Sequence, residues 1–213
     1  MPSSASYRPS LPATTAQVDR LVELGIPGLA GLSPAAFTEL AAGLPDAGLV
    51  VVHPSLVAPS ALAPLLRLGE REGFVVEDMT DLDEFAPIAG VEVPEAGLYV
   101  VREVERGDDL LGWKPDDAVP EIVGRGRSPM TVSEGISWLL QEPGALEANA
   151  CFMCAGSRKV NARGGLDART PALWISRGTG RDGRERKGAP KVGWCWAGNH
   201  HTWLGFASVA SRT

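Results

Sequence analysis

The chain has 213 residues, a formal net charge of −6, 44% hydrophobic residues and 22% charged residues. That balance fits a soluble globular protein with one large domain or two small ones, and argues against a disordered or fibrous chain. A core of this size needs no disulfide staples, and three cysteines cannot all pair within one chain, so the thiols point to a reducing compartment. The first ten residues lack the apolar core of a signal peptide, and no apolar run approaches the roughly 20 residues that span a bilayer. These readings predict a soluble, cytoplasmic protein with no membrane segment.

Taken in chain order, residues 1–13 are rich in Ser, Pro and Ala and are expected to form a disordered arm. Thr14 or Thr15 caps a predicted helix through Leu24, with Val18, Leu21 and Val22 on one stripe, ended by Gly25 and Pro27. Ser33 and Pro34 start a second helix, and Gly43 or Pro45 stops it. The Val-rich run 48–53, ending at His53, reads as a buried strand. Residues 60–70 show a helical leucine pattern despite Pro64, 73–77 a second strand, 80–85 a short helix and 97–104 a third strand. The stretch 108–129 reads as polar turns around Trp113. Thr131 or Ser133 caps a helix through Gln141 that buries Ile136, Leu139 and Leu140.

The last third reads as β structure, with strands over 149–154, 171–176, 190–196 and 202–208 and long polar connections over 156–170 and 178–188. Residues 197–200 look like a turn joining the last two strands, because Gly and Asn tolerate positive φ. No internal repeat and no regular βαβ alternation is visible. The predicted fold is α+β, with a helical and mixed α/β N-terminal part and a C-terminal antiparallel β region. Residues 14–213 are read as a single α+β domain, acidic over 14–150, and basic and tryptophan-rich over 151–213.

Charge divides along the same line, with −14 over residues 1–150 and +8 over 151–213. Intramolecular docking of the two parts is the plainer explanation. The short basic part in an acidic protein does not favour a nucleic-acid partner.

Chemistry-bearing residues concentrate in Lys191-Val-Gly-Trp-Cys-Trp-Ala-Gly-Asn-His-His-Thr-Trp-Leu-Gly205, which holds three of six tryptophans, one of three cysteines and two of three histidines. Strand alternation puts Trp194 and Trp196 on one face and Cys195 on the other, and a return across the turn brings Trp203 beside them. Such an indole wall suits a flat or cationic ligand, with Asn199 and His201 at its rim. The plain alternative is a tryptophan-stabilised sheet packed near Trp138. The loop 177–188 offers Arg181 and Arg184 to clamp an anion, either as a solvated loop or as a lid over the wall. It lacks Walker and Rossmann signatures, and no cofactor is expected.

Two alternatives stay open. A structural zinc site would use Cys151, Cys154, Cys195 and His200, but residues three apart on a strand point to opposite faces. An enzyme would use His201 as general base with an acid from the run 77–84.

The segments 73–85, 169–176 and Gly193-Trp-Cys-Trp-Ala-Gly-Asn199 together resemble an uncharacterised family of actinobacterial proteins, a domain of unknown function, over most of the chain beyond about residue 15. The resemblance implies a cytoplasmic setting and an emphasis on Trp194 to Gly205 and His201. It implies no activity and no catalytic residues. The leading expectation is therefore binding of a small molecule or protein partner through the C-terminal tryptophan-rich β region.

Overall fold

The computed structural model describes Tyr7 and residues 9–213, with Arg181 described by its backbone alone. In chain order the elements are α1 (Thr14–Glu23), α2 (Ile26–Leu29), α3 (Pro34–Glu39), β1 (Leu49–Val52), α4 (Pro59–Leu62), β2 (Arg67–Leu68), β3 (Arg71–Glu72), β4 (Phe74–Val75), β5 (Ala86–Pro87) and β6 (Leu98–Arg102). There follow α5 (Pro115–Gly124), β7 (Ser128–Pro129), α6 (Val132–Gln141), β8 (Cys151–Met153), β9 (Ser157–Arg158), β10 (Arg169–Ile175), β11 (Pro190–Trp196), β12 (Leu204–Phe206), β13 (Ser208–Val209) and β14 (Ser211–Arg212). The fold is α+β, as the mixture of helical and alternating patterns predicts. No helix among the described residues is long and apolar enough to cross a membrane.

The centre of the molecule is α6. All ten of its residues are buried, because sheets cover it on two sides. One side meets β1, where the Val52 N–H donates to Ser137 Oγ at 3.1 Å. The other meets β10 and β8, where Gly135 approaches Phe152, Cys154 and Leu173. Thr131 caps the helix as expected, through a full capping box with Glu134. Trp138 packs on Phe152 with ring centroids 4.9 Å apart, and burying each such ring contributes roughly 1.5–3 kcal/mol.

Two sheets frame this helix. A three-stranded sheet has the order β1-β6-β14, and a five-stranded sheet has the order β12-β8-β10-β11-β4. The heart of the second sheet, β8-β10-β11, is antiparallel, whereas both edge pairings, β12 with β8 and β4 with β11, are parallel. The expected C-terminal antiparallel region is thus a mixed sheet that recruits β4 from the acidic part. In return, β14 crosses back to β6. The opposed charges meet inside the molecule, at Asp81 with Arg169 and Lys159, Asp116 with Arg158, and Glu134 with Arg212.

Several local expectations need correction. Thr14 is the first residue of α1 rather than its cap, and its hydroxyl donates to the Pro45 carbonyl at 2.6 Å. The helix expected over 60–70 stops early. Pro64 supplies no N–H, the chain tightens to a 3-10 turn over Ala63–Leu65, and β2 follows. The polar stretch 108–129 contains α5, which starts at Pro115, carries Asp116 and Asp117 in its first turn and buries Ala118 and Ile122 four residues apart. Of the arm expected over residues 1–13, residues 1–6 and 8 lie outside the described residues. Tyr7 donates its hydroxyl to Glu142 at 2.6 Å, and its carbonyl accepts the Arg106 N–H.

Candidate functional site

The site begins with a hairpin. β10 and β11 pair over their whole lengths, setting Trp174 opposite Lys191, Pro171 opposite Trp194 and Arg169 opposite Trp196. Alternation then places Val192, Trp194 and Trp196 on one face of β11, and Lys191, Gly193 and Cys195 on the other with Trp174. Gly193 is needed there: a Cβ at that position would lie 2.5 Å from Trp174 Cη2 and 2.9 Å from Val76 Cγ1. The bare backbone lets the indole lie across the strand.

On Trp174's face the Lys191 ammonium lies 4.6 Å from the ring centroid. The same nitrogen donates to Asp182 Oδ2 at 2.6 Å, and that oxygen also accepts the Ser176 hydroxyl at 2.6 Å. Ser176 Oγ in turn accepts the Gly178 N–H at 3.1 Å. These bonds stitch the hairpin loop to the strands that carry it. Burial raises the Asp182 pKa, but the hydrogen bonds from Lys191 and Ser176 outweigh it and hold the carboxyl below its ordinary value.

Around this group opens a cavity of about 480 Å³, lined by Trp174, Trp203, Cys151, Arg177, Lys187 and Glu147 among others. Trp203 meets Trp174 edge-on at 6.0 Å and 70°. A second hollow of about 310 Å³ shares Trp174, Thr179, Asp182 and Lys191 and adds Trp194, Glu77 and Asp78. The Lys191–Asp182 pair is therefore common to both. Arg177 and Lys187 are exposed and have no carboxylate partner among the described residues.

The residues singled out from sequence are divided by this geometry. Trp194 and Trp196 do share a face and meet edge-on at 4.5 Å. The Arg169 guanidinium lies 6.0 Å over Trp194, held there by Asp81 and Asp167. Trp203 does not join them. The segment 197–200 does not close a hairpin, because β12 pairs with β8 and not with β11. The expected wall is thus two pairs, Trp194 with Trp196 and Trp174 with Trp203.

Asn199 is exposed, and its N–H donates to the Trp196 carbonyl. The His201 ring lies 3.4 Å from the Trp196 carbonyl, and the His201 backbone exchanges hydrogen bonds with Gly112 and Trp113. His200 Nδ1 sits 2.7 Å from the Gly112 carbonyl. His200 and His201 fasten the 197–203 segment to the loop before α5, and neither they nor Asn199 line either cavity. Arg184 is exposed on a short 3-10 turn and lines neither cavity either, and the Arg181 side chain lies outside the described residues.

The zinc donors are not brought together. Cys154 packs against Gly135 of α6, Cys151 donates to the Glu147 carbonyl at 3.5 Å, and Cys195 stands opposite Thr170. Among the described residues no group of three or more His, Cys, Asp or Glu is placed to hold a metal ion. Burial raises the pKa of all three thiols, that of Cys195 to about 12. For the acid–base alternative, Asp81 is taken by Arg169 and Lys159, and the His201 ring faces a carbonyl.

Trp174, Ser176, Asp182 and Lys191 were not singled out from sequence. A signal was present: a glycine-rich loop between two strands implies a hairpin, and counting outward from it sets Trp174 across from Lys191.

No curated protein and no solved structure matches the chain. A family model does, over residues 20–213, which include every residue of the two cavities. The chain belongs to that family, a family of unknown function (DUF5701).

Proposed function

We propose that the protein binds a small, flat, anionic molecule through its C-terminal tryptophan-rich β region, in the cavity between Trp174, Trp203 and the 177–188 loop. The observation that carries this reading is the cluster of Lys191 on the Trp174 face beside Arg177 and Lys187, two exposed cations with no carboxylate partner among the described residues. Ligand sites are typically concave and mostly apolar, with a few convergent polar groups. Here the indoles supply the apolar wall, the cations supply charge and the Ser176–Asp182–Lys191 bonds hold the loop ready. Trp194, from the other face of β11, contributes to the lining of the adjoining hollow. Three free cysteines, two of them buried, support a reducing, intracellular setting.

The test is an indole-fluorescence titration with benzoate, indole-3-carboxylate and a nucleoside monophosphate, each against its uncharged analogue. Saturable quenching by an anion should be lost in Trp174→Ala and weakened in Arg177→Ala/Lys187→Ala. It should survive in Asn199→Ala/His201→Ala. Quenching that follows His201 instead, or none with any anion, would reject the proposal.

A further inference from the structure

We propose that the outer edge of β11, from Trp194 to Trp196, docks an extended peptide that carries a lysine or arginine. β10 pairs with β11 along its whole length, whereas β4 reaches only Lys191 and Val192 on the other side. One more bond, from the Val76 N–H to the Val192 carbonyl, ends that ladder. The Met79 N–H then closes a turn onto the Val76 carbonyl, and the chain leaves the strand. Among the described residues, no other strand of the sheet lies on that side of β11.

The groups left open there follow from alternation. The Ala197 N–H donates to the Ala168 carbonyl, and in the same register Gly193 and Cys195 turn their main chain toward β10. Val192, Trp194 and Trp196 turn theirs outward. The Trp196 carbonyl is satisfied by the Asn199 N–H. The Trp194 N–H and carbonyl and the Trp196 N–H face the side that β4 has left, with no strand to pair with. Exposed edges are normally blunted by lysine, proline or a covering segment. This edge reads Trp-Cys-Trp, and Trp196 is 48% exposed.

A hollow marks the same place. Trp174 and Trp194 lie on opposite faces of the hairpin, yet both line the hollow of about 310 Å³. One hollow touches both only by wrapping around the strand edge. Glu77, Asp78 and Asp182 line it against a single ammonium, Lys191, which Asp182 already holds. Glu77 is exposed and has no ion-pair partner among the described residues. Two indoles and an open carboxylate suit a cationic side chain. A second copy of the chain could pair along the same edge, but it would bring two acidic hollows to one interface, and like charges oppose that. A basic strand gains where a second copy loses. Main-chain bonds then supply affinity, and the hollow selects the side chain.

The experiment combines an NMR titration with amide hydrogen exchange on the whole chain. The probes are acetyl-Val-Lys-Val-Lys-Val-amide, its glutamate-for-lysine counterpart and a lysine peptide methylated at alternate amide nitrogens. The lysine peptide should give saturable shifts centred on Trp194 and Trp196 and slow exchange of their amides about tenfold. The glutamate and N-methyl peptides should do neither. Glu77→Gln should weaken the lysine peptide about threefold, the worth of one exposed ion pair. Slow exchange of both amides in the free chain, equal binding of either control peptide, no binding of any peptide, or unchanged affinity in Glu77→Gln would overturn the proposal. So would the same protection arising by self-association as protein concentration rises. None of these readouts uses Arg177, Lys187 or Trp203, so the result is independent of the anion cavity.

Discussion

Lys191 and Asp182 are joined by a 2.6 Å ion pair in which each side chain is 11% exposed, at the loop end of the β10–β11 hairpin. The pair fixes the glycine-rich loop against Trp174 and gives the loop its place over the cavity.

That pair makes the loop sensitive to acid. The folded Asp182 pKa is depressed, so its contribution to stability is complete above the unfolded value of about 3.9 and is lost as pH falls through the folded value. Urea denaturation of wild type should show stability falling below about pH 4. Asp182→Asn should be less stable near neutral pH and show a shallower fall. An Asp182→Asn profile parallel to wild type would refute the assignment.

Gly193 shapes the cavity wall. Gly193→Ala puts a methyl group against Trp174 and Val76, so one or both must move. The expected cost is about 1–3 kcal/mol, as for other overpacking changes, with loss of the anion quenching described above. Binding at wild-type affinity would show that Trp174 need not lie across the strand.

The C-terminus is locked by a buried pair. Arg212 forks onto Glu134, with Nε at 2.6 Å from Oε1 and Nη2 at 3.0 Å from Oε2, and Glu134 is fully buried. Arg212→Ala strands that carboxylate and should cost about 3–5 kcal/mol. Arg212→Met/Glu134→Gln removes both charges and should recover part of the loss. Equal destabilisation of single and double variants, measured by urea midpoints, would argue against this.

Gly135 and Cys154 form a tight contact between α6 and the five-stranded sheet. A Cβ at Gly135 would fall inside van der Waals distance of Cys154 Sγ and lie 3.0 Å from Leu173 Cδ1. Gly135→Ala should destabilise by about 1–3 kcal/mol, even though Ala gains about 1 kcal/mol in helix propensity. Adding Cys154→Ala should relieve much of that cost. A thermal melt in which the two changes are additive would count against the contact.

Local pattern was enough to read much of the secondary structure. Ser33–Pro34, Thr131 with Glu134 three residues on, and the Val-rich run 49–52 each carry their own capping or strand chemistry. Alternation alone set Trp194 and Trp196 on one face and sent Cys151 and Cys154 apart. What a pattern of period two cannot contain is the choice of neighbouring strand. Trp203 was expected beside Trp194, yet it packs on Trp174 because β12 lies beside β8, with β8 and β10 between it and β11.

The amino-acid sequence by itself determined the α+β class, the central helix, the opposed charges and a C-terminal β region rich in indoles, because each follows from spacing within a few residues. Tertiary structure alone decided which indoles meet, that Lys191 lies over Trp174, and that β4 reaches only Lys191 and Val192 of β11. Those juxtapositions join residues far apart in the chain, and strand order and the burial of α6 between two sheets bring them together.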